Sequence, residues 1–220
     1  MSAAAPPPVP PKVDTFSHRF VPAESPSERL VIVLHGLGDS SGGFVWMPEE
    51  LDLPWLNFIM LNAPNPYFFD GFSWYDIENP RDGIESGRAL LRQLFEELEA
   101  QGWRSENILL FGFSQGCVMS MDFALRWPKA LAGVVGVSGY VWLPEGWQAE
   151  IVPEARSRAW LVTHGIYDPL LPPERTLEQV ERLRGEGLEI EWHEFGKDHT
   201  IDLYKELPLM REWIRRRWEG

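Results

Sequence analysis

The amino-acid sequence predicts a single α/β domain, in which a mostly parallel central sheet is covered by helices on both faces. The first observation behind this prediction is the alternation of strand-length apolar runs with segments of helical periodicity. The second is that most of these runs are continuously apolar, as strands are when both faces of a parallel sheet are buried. The third is the length of 220 residues, which suits one domain with a full core.

The predicted strands are short apolar runs that end at glycine or other turn residues. The segment 188–195, LEIEWHEF, differs because its apolar and polar residues alternate, which indicates an edge strand with one face in water. The segment 15–21 is a further candidate strand near the start of the chain. The continuous runs are RLVIVLH at 29–35, WLNFIML at 55–61, NILLF at 107–111, LAGVVGV at 131–137 and AWLVT at 159–163.

Helical periodicity separates these strands. Segment 82–101 places its apolar residues on one stripe, as an amphipathic helix does. Segment 115–127 is apolar on most sides, which predicts a buried helix, and segment 173–184 is a shorter amphipathic helix. The last helical region spans about 201–218, and Pro208 is expected to kink or split it.

The charge and the composition argue against several classes of partner. The formal net charge of −13 disfavours nucleic acid and anionic membrane surfaces, because both are negatively charged themselves. No apolar run reaches the length of a bilayer span, so stable membrane insertion is not expected. No cluster of His, Cys and Asp stands at ligand spacing, and the sequence predicts neither a metal site nor a cofactor.

The start of the chain and its single cysteine indicate domain organisation and compartment. Residues 1–14 form a predicted proline-rich tail, and residues 15–220 form the domain. The tail contains no apolar signal-peptide core, and Cys117 can form no intrachain disulfide, so a cytoplasmic location is expected. Cys117 lies one turn into the buried helix and is expected to be a small packing residue rather than a nucleophile.

The segment FGFSQG at 111–116 carries the strongest chemical signal. It places Ser114 in the pattern G-x-S-x-G, between a predicted strand and a predicted buried helix. This context is that of a nucleophile elbow, a sharp turn that aims the serine hydroxyl out of the sheet edge. The alternative is that Ser114 only caps the helix that follows. The strand and the buried helix favour catalysis over capping.

A nucleophilic serine needs a base and a residue that orients the base. In this architecture the order along the chain is Ser, then Asp or Glu, then His. Asp168 follows the strand at 159–163, and His199 follows the strand at 188–195. Because the carboxyl ends of parallel strands meet at one edge, both side chains are expected near Ser114.

Three other residues compete for these roles or support them. His193 is the rival base, but it lies inside the last predicted strand on a face that it shares with two glutamates, which is expected to face water. Asp198 is the rival orienting residue, but it adjoins the predicted base, and neighbouring side chains in an extended loop point apart. His164 is expected to brace the loop of the predicted acid.

Two backbone N–H groups are candidates to bind an oxyanion. Gln115 directly follows the predicted nucleophile at the start of a helix, so its N–H is the first candidate. The second is expected from the loop HGLG at 35–38, which follows an early strand, and specifically from the N–H of Leu37. The alternative for this loop is a tight turn without a chemical role.

Two aromatic-rich loops, at 62–76 and 138–147, follow predicted strands at the same sheet edge. Aromatic side chains at such an edge favour an apolar pocket for an acyl or alcohol group. Trp74 and Trp142 are the predicted pocket walls. The alternative is that these rings only pack the loops onto the domain.

These residues resemble the acyl-protein thioesterase and small carboxylesterase family of α/β-hydrolases. The resemblance covers about residues 29–218 and implies the α/β-hydrolase fold without a large lid domain. It also implies a triad of Ser114, His199 and Asp168, an oxyanion hole from the Leu37 and Gln115 N–H groups, and no metal. The matching segments, in the order of the family, are LHGLGD at 34–39, SWYDI at 73–77, GFSQG at 112–116, WLP at 142–144, HGIYDPLLP at 164–172 and DHT at 198–200.

Three departures from the family pattern leave the catalytic groups in place. Cys117 stands where the family usually has a glycine, which bears on packing behind the elbow. The sequence FGKDH at 195–199 leads to the predicted base where the family often has a turn rich in glycine or methionine. The third departure is the proline-rich tail, which the family pattern does not include.

The sequence therefore predicts a serine hydrolase that cleaves carboxylic esters, or thioesters, through an acyl-enzyme. Lysophospholipase and acyl-protein thioesterase activities are alternatives, because the family spans those substrates. A non-catalytic binding protein on a hydrolase scaffold is the alternative from another class. The expected partner is a small ester or thioester, preferably uncharged because the protein surface is acidic, and a homodimer is the assembly considered.

Overall fold

A seven-stranded sheet forms the centre of the computed structural model, which describes residues 9–218. The strands, in chain order, are β1 (His18–Val21), β2 (Leu30–Leu34), β3 (Asn57–Leu61), β4 (Asn65–Pro66), β5 (Phe72–Ser73), β6 (Ile108–Phe113), β7 (Gly133–Val137), β8 (Trp160–Gly165) and β9 (Ile190–Phe195). The sheet order is β1-β3-β2-β6-β7-β8-β9, while β4 and β5 pair as a separate hairpin. Among the sheet strands that the structure describes, only β1 runs antiparallel to its neighbour, so the predicted mostly parallel sheet is confirmed.

The register of the parallel strands brings their carboxyl ends to one edge. Leu34, the last residue of β2, lies opposite Leu61 of β3 and Gly112 of β6. Phe113, the last residue of β6, lies opposite Val137 of β7. The loops that follow these strands therefore start close together, at the edge where the sequence places its candidate functional residues.

Helices cover both faces of the sheet. Apolar residues of α2, α3 and α4 pack in one core cluster, and those of α1 and α5 pack in the other. The five α-helices in the described part of the chain are α1 (Met47–Leu51), α2 (Pro80–Ala100), α3 (Gln115–Arg126), α4 (Pro173–Gly185) and α5 (Glu206–Arg215). Short 3-10 helices span Ser41–Phe44, Phe68–Asp70, Ser105–Asn107, Trp147–Glu150 and Pro153–Arg156.

The central strands are apolar throughout because both of their faces are buried. In β2, Ile32 belongs to the cluster on one face, while Val31 and Val33 belong to the cluster on the other. Every residue of β2, β3 and β7 is buried. β9 instead buries only Ile190 fully and leaves Glu191 and Glu194 exposed, as expected of the edge strand that it forms. The helix α3 is buried at all of its positions, as its apolar sequence predicts.

The last helix differs from its prediction. The sequence predicts a helical region at about 201–218 that Pro208 kinks or splits, but the helix α5 begins only at Glu206. Pro208 is thus its third residue, where the backbone N–H has no partner within a helix and its absence costs little. The proline is therefore compatible with one continuous helix, and residues 203–205 form a turn before it.

The end of the predicted tail is attached to α2. The Lys12 N–H donates to Gln101 Oε1 at 2.7 Å, and the Asp14 N–H donates to Glu97 Oε2 at 3.1 Å. The Thr15 hydroxyl donates to the second oxygen of Glu97 at 2.6 Å. Residues Lys12, Asp14 and Thr15 are thus hydrogen-bonded to the C-terminal part of α2 and the residue after it, while the first eight residues of the predicted tail lie outside the described part of the chain.

Cys117 fills space that two glycines leave open behind the elbow. Its side chain is 1% exposed, and burial raises the pKa of its thiol to about 12, so it is protonated at neutral pH. A Cβ added to Gly136 of β7 would lie 2.8 Å from Cys117 Sγ, and one added to Gly139 would lie 2.4 Å from Cys117 Cβ. Cys117 is thus a buried packing residue, in agreement with the sequence expectation.

We expect Gly136→Ala to lower the free energy of unfolding by about 1 to 3 kcal/mol, because the new methyl group would overlap the Cys117 sulfur. Cys117→Ala should cost about 1 kcal/mol through lost packing. In the double variant the methyl group takes the space of the sulfur, so the two costs should not add. Urea denaturation of the four proteins gives the coupling free energy, and additive costs would contradict this account.

Candidate active site

Ser114 lies in a sharp turn between β6 and α3. Its backbone angles, φ 53° and ψ −116°, lie in a region that residues other than glycine rarely adopt. Two glycines let the strand and the helix approach each other. A Cβ added to Gly112 would lie 2.1 Å from the carbonyl oxygen of Gly116, and one added to Gly116 would lie 2.0 Å from that of Leu34. The turn therefore depends on both glycines and holds Ser114 half-buried at the sheet edge.

The structure brings His199 and Asp168 to Ser114 through two hydrogen bonds. Nε2 of His199 lies 2.9 Å from Ser114 Oγ, and its Nδ1 lies 2.7 Å from Asp168 Oδ2. An ionised carboxylate can only accept, so Nδ1 carries the proton and Nε2 is free to accept the serine hydroxyl proton. The ring of Phe113 packs against the imidazole, with ring centroids 5.1 Å apart. This arrangement can remove a proton from Ser114.

The loop after β8 holds Asp168 as an ionised, buried carboxylate. Its Oδ1 accepts the N–H groups of Leu170 and Leu171, each at 2.9 Å. Burial alone would raise the pKa of Asp168, but the bonds from the Leu171 N–H, His199 and the Leu170 N–H outweigh it. The pKa of Asp168 therefore lies below its usual value, and the carboxylate stays charged at neutral pH.

His164 lies beneath this loop. Its Nε2 lies 2.8 Å from the carbonyl oxygen of Leu171 and 3.5 Å from Asp168 Oδ2. A carbonyl oxygen only accepts, so Nε2 of His164 carries the proton. Burial is the largest cause that lowers the pKa of His164, which makes the ring a neutral donor. His164 thus ties the end of β8 to the segment that supplies the N–H groups to Asp168.

The rival residues lie in other surroundings. The side chain of His193 in β9 is 40% exposed, and its Nε2 lies 3.9 Å from Glu191 Oε2 on the same strand. Asp198 is exposed, whereas its neighbour His199 turns inward to Ser114. Neither His193 nor Asp198 lines the cavity beside Ser114.

A buried lysine that sequence reasoning missed anchors the loop of His199. Lys197 Nζ donates to Glu206 Oε1 and to the carbonyl oxygen of Thr200, both at 2.6 Å, and to Ser138 Oγ at 3.2 Å. The side chains of Lys197 and Glu206 are 3% and 0% exposed. The departure from the family pattern at FGKDH was the available signal, because its lysine precedes the predicted base by two residues.

The two candidate oxyanion donors flank Ser114. Leu37 and Gln115 both line the cavity beside it, and the Leu37 N–H makes no hydrogen bond within the described part of the chain. Gln115 is the first residue of α3, so its N–H has no partner in the helix ladder. Gly36 lets the loop that carries Leu37 lie close to the turn at Ser114, since a Cβ added to Gly36 would lie 3.3 Å from Ser114 Cβ.

Two cavities reach the reacting groups. One, of about 480 Å³, lies beside Ser114 and His199. A second, of about 370 Å³, also reaches His199 and Phe113. The first has a mostly apolar wall, formed by Tyr75, Ile77, Tyr140, Leu170 and Leu171. The second is lined further by Asp39, Phe44, Trp46, Thr200, Ile201 and Leu203.

The two predicted pocket tryptophans take other positions. Trp74 is fully buried in the core, where its Nε1 donates to the carbonyl oxygen of His35 at 2.9 Å. Trp142 is half-buried and packs against the core cluster. Neither tryptophan lines the 480 Å³ cavity beside Ser114. The nearby tyrosines, Tyr75 and Tyr140, form part of its wall instead. An indole N–H buried in a core needs an acceptor, and a backbone carbonyl supplies it for Trp74.

The Gln115 side chain has a role that sequence reasoning also missed. Its Oε1 accepts the Trp74 N–H at 3.0 Å, and its Nε2 donates to the carbonyl oxygen of Tyr75 at 2.8 Å. The residue after the predicted nucleophile therefore holds the backbone of the loop that forms the cavity wall. Only the presence of an amide side chain in FGFSQG hinted at such a contact.

Neither a metal-binding cluster nor a membrane-spanning helix occurs in the described part of the chain. Within residues 9–218, no three His, Cys, Asp or Glu side chains group so that they could hold a metal ion. In the same range, no helix has the length and apolar character needed to cross a membrane.

A model of the phospholipase/carboxylesterase family matches residues 17–216. The chain belongs to this family. The match confirms the resemblance drawn from the six sequence segments and, with the mostly parallel sheet, the predicted α/β-hydrolase fold. Among the described residues, the longest segment without a strand or an α-helix is 138–159, which contains two short 3-10 helices, and no large lid domain is present.

Relatives of this phospholipase/carboxylesterase chain are thioesterases and esterases. Acyl-protein thioesterase 1 of Schizosaccharomyces pombe is 34% identical over 159 residues, which cover 64% of this chain and 69% of the relative. Acyl-protein thioesterase 1 of Yarrowia lipolytica is 27% identical over 214 residues, covering 88% and 94%. The crystal structure of esterase PE8 superposes with a TM-score of 0.83 at 27% identity, covering 91% of this chain and 98% of that one. The chain is accordingly a hydrolase of the esterase type.

Proposed function

We propose that the protein is a serine hydrolase that cleaves carboxylic esters through an acyl-enzyme formed on Ser114. The observation that carries this proposal is the continuous chain of hydrogen bonds from Ser114 Oγ through His199 to Asp168. This chain of hydrogen bonds has the order that nucleophilic catalysis requires, with an imidazole nitrogen next to the hydroxyl and an ionised carboxylate behind the imidazole.

The proposed reaction proceeds in two steps. Ser114 Oγ attacks the acyl carbon while His199 Nε2 takes the hydroxyl proton, and the imidazolium then gives this proton to the leaving alcohol or thiol. In the second step, a water molecule loses a proton to His199 Nε2 and attacks the acyl carbon. The imidazolium gives this proton to Ser114 Oγ as the acid leaves, which restores both side chains. Asp168 remains ionised throughout and stabilises the imidazolium through Nδ1–H.

The negative charge that develops on the acyl oxygen is bound by the N–H groups of Leu37 and Gln115. Both residues line the cavity beside Ser114. The Gln115 N–H also lies at the positive end of the α3 dipole, which favours an anion there. Donors that are fixed before the reaction stabilise the transition state without reorganisation.

The 480 Å³ cavity has the larger apolar wall, which favours this cavity for the acyl group. The 370 Å³ cavity is then available for the leaving group. Burial raises the pKa of Tyr75 and of Tyr140 in this wall, so both keep their hydroxyl protons. An uncharged acyl chain fits these surroundings. Because the same machinery cleaves thioesters, the thioesterase names of the relatives make an acyl thioester the second candidate substrate.

Labelling with a fluorophosphonate tests the nucleophile. We expect the wild-type protein to be labelled at Ser114, identified by mass spectrometry, and to hydrolyse p-nitrophenyl esters. Ser114→Ala should abolish labelling and lower kcat by about 10⁴-fold or more. Ser120→Ala, which removes a buried hydroxyl without a hydrogen-bond partner from the same helix, is the matched control and should keep both properties.

The outcomes of this experiment separate the candidate functions. A folded wild-type protein that is neither labelled nor active would favour a binding protein on a hydrolase scaffold. Labelling that survives Ser114→Ala would mean that another residue is the nucleophile. Matched oxygen esters and thioesters of increasing acyl length then distinguish the carboxylesterase from the thioesterase and lysophospholipase alternatives.

We further propose the cytoplasm as the compartment and a homodimer as the assembly. The single cysteine is protonated and buried, and a thiol without a disulfide requires no oxidising compartment, which supports the cytoplasm. Size-exclusion chromatography with light scattering tests the second, and a mass of one chain at micromolar concentration would exclude it.

A further inference from the structure

His35, at the end of β2, is held in a single tautomer by two backbone groups. It is 1% exposed; its Nε2 lies 3.1 Å from the Ala63 N and its Nδ1 lies 2.6 Å from the Gly36 carbonyl oxygen. The Ala63 N–H can only donate, so Nε2 is the acceptor, and Nδ1 therefore carries the proton and donates to Gly36. Burial is the main cause that lowers the pKa of His35, which keeps the ring neutral.

The carbonyl that His35 holds belongs to the same peptide unit as the Leu37 N–H. This peptide bond is trans, because the only cis bond in the described chain is Val9–Pro10. In a trans peptide the carbonyl and the N–H point in opposite directions. Fixing the Gly36 oxygen on the imidazole therefore directs the Leu37 N–H away from the ring. A hydrogen bond to the carbonyl also polarises the N–H of its peptide.

Trp74 joins this peptide to the second candidate donor. Its indole N–H donates to the carbonyl oxygen of His35 at 2.9 Å, while its backbone N–H donates to Gln115 Oε1 at 3.0 Å. The rings of His35 and Trp74 also pack together, with centroids 5.8 Å apart. Three segments that are remote in sequence, around residues 35, 74 and 115, are thus connected by buried hydrogen bonds.

We propose that His35 is a positioning residue that sets the orientation of the Leu37 N–H for the developing oxyanion, and that Trp74 braces the two halves of this hole against each other. This proposal rests on the proposed function, because it needs Leu37 and Gln115 to act as donors. His35 itself touches neither the substrate nor the reacting atoms. It acts through the Gly36–Leu37 peptide alone.

Two substitutions of His35 separate its two hydrogen bonds. The amide nitrogen of Asn reaches about as far as Nδ1, so His35→Asn keeps a donor for the Gly36 carbonyl. The amide of Gln reaches about as far as Nε2, so His35→Gln keeps the acceptor for the Ala63 N–H and loses the donor. We expect His35→Gln to lower kcat by about 10- to 100-fold with KM within about twofold, and His35→Asn to retain most of kcat.

The kcat values are expressed per active site, counted by fluorophosphonate labelling, so that unfolded protein does not contribute. Binding of a trifluoromethyl ketone, which adds to the serine as a tetrahedral oxyanion, provides a second readout. Its affinity should fall by about the same factor as kcat/KM in His35→Gln. Equal kcat and equal ketone affinity in His35→Gln and the wild type would overturn the positioning role.

Trp74→Phe tests the brace, because it keeps an aromatic ring at this position but removes the indole N–H that donates to the His35 carbonyl. Part of the buried ring volume is lost as well, and we expect kcat to fall several-fold. Trp160→Phe is the matched control, because it removes an equally buried indole bond, 2.9 Å to the Ala155 carbonyl, in another part of the sheet. Equal kcat losses in both variants would show a general effect of destabilisation and overturn the brace.

Failure of the proposal and failure of the proposed function give different results. A wild-type protein that is active and labelled, with a fully active His35→Gln variant, contradicts the positioning role alone. A wild-type protein without labelling or ester hydrolysis contradicts both.

Discussion

His199→Ala should lower kcat for an activated ester by about 10⁴-fold or more, whereas His193→Ala should leave it within about twofold. The reason is the position of the two rings. His199 Nε2 lies 2.9 Å from Ser114 Oγ, while His193 lies on the edge strand next to Glu191. Steady-state kinetics of both variants, with near-UV circular dichroism to verify folding, give the comparison.

The matched histidine pair makes this prediction decisive, since each variant loses one imidazole from the same region of the chain. Retained activity in His199→Ala together with its loss in His193→Ala would reverse the assignment of the base. A comparison of Asp168→Asn with Asp198→Asn extends the same test to the carboxylates. Only Asp168 accepts a bond from His199 Nδ1, so only its substitution should impair catalysis.

Lys197→Met should lower the free energy of unfolding by about 3 to 5 kcal/mol, because it leaves the Glu206 carboxylate buried without its countercharge. Within residues 9–218, the Glu206 carboxylate would then retain only the bond from the Asp202 N–H to its other oxygen, at 2.9 Å. The same substitution should lower kcat, since Lys197 ties the loop of His199 to the start of α5. Urea denaturation and steady-state kinetics measure the two effects.

A surface ion pair provides the control for Lys197. Lys129 pairs with Glu99, but its side chain is 53% exposed, so Lys129→Met should cost less than about 1 kcal/mol. The double variant Lys197→Met/Glu206→Leu should recover part of the loss, because it removes both buried charges. A cost below about 1 kcal/mol for Lys197→Met alone would contradict the proposed importance of the buried pair.

The layout of the fold could be predicted because it is encoded in local patterns. Continuous apolar runs are typical of strands buried on both faces, and the alternation in β9 indicates an edge position. The extent of α5 could not be predicted in the same way. A proline in a helix interior is costly, but Pro208 lies in the first turn, and only the true helix start at Glu206 shows this.

The candidate catalytic side chains could be predicted from topology combined with chain order. Parallel strands place the loops after β6, β8 and β9 at one edge, and a serine, an aspartate and a histidine stand on these loops in the expected order. The roles of these residues remain predictions that the substitutions above test. Their distances, by contrast, depend on side chains such as Lys197 and His164, whose partners are far away in the sequence.

The aromatic loops show why sequence reasoning failed at the pocket wall. A tryptophan in a loop is compatible with substrate contact and with packing, and only the tertiary partners distinguish the two. Trp74 finds its acceptor 39 residues upstream, on His35. The next residue, Tyr75, points to the cavity instead. No periodicity within such a short loop predicts which of two adjacent rings turns inward.

The hydrogen bonds between the Gln115 side chain and the backbone of Trp74 and Tyr75 restrict how the enzyme's substrate range can be engineered. A mutant library that varies the side chains of Tyr75, Ile77 and Tyr140 would reshape the cavity while these bonds persist. An insertion or deletion in the same loop would displace Trp74 from both of its acceptors. Selectivity is therefore best altered by exchanging side chains on this loop, with its length left unchanged.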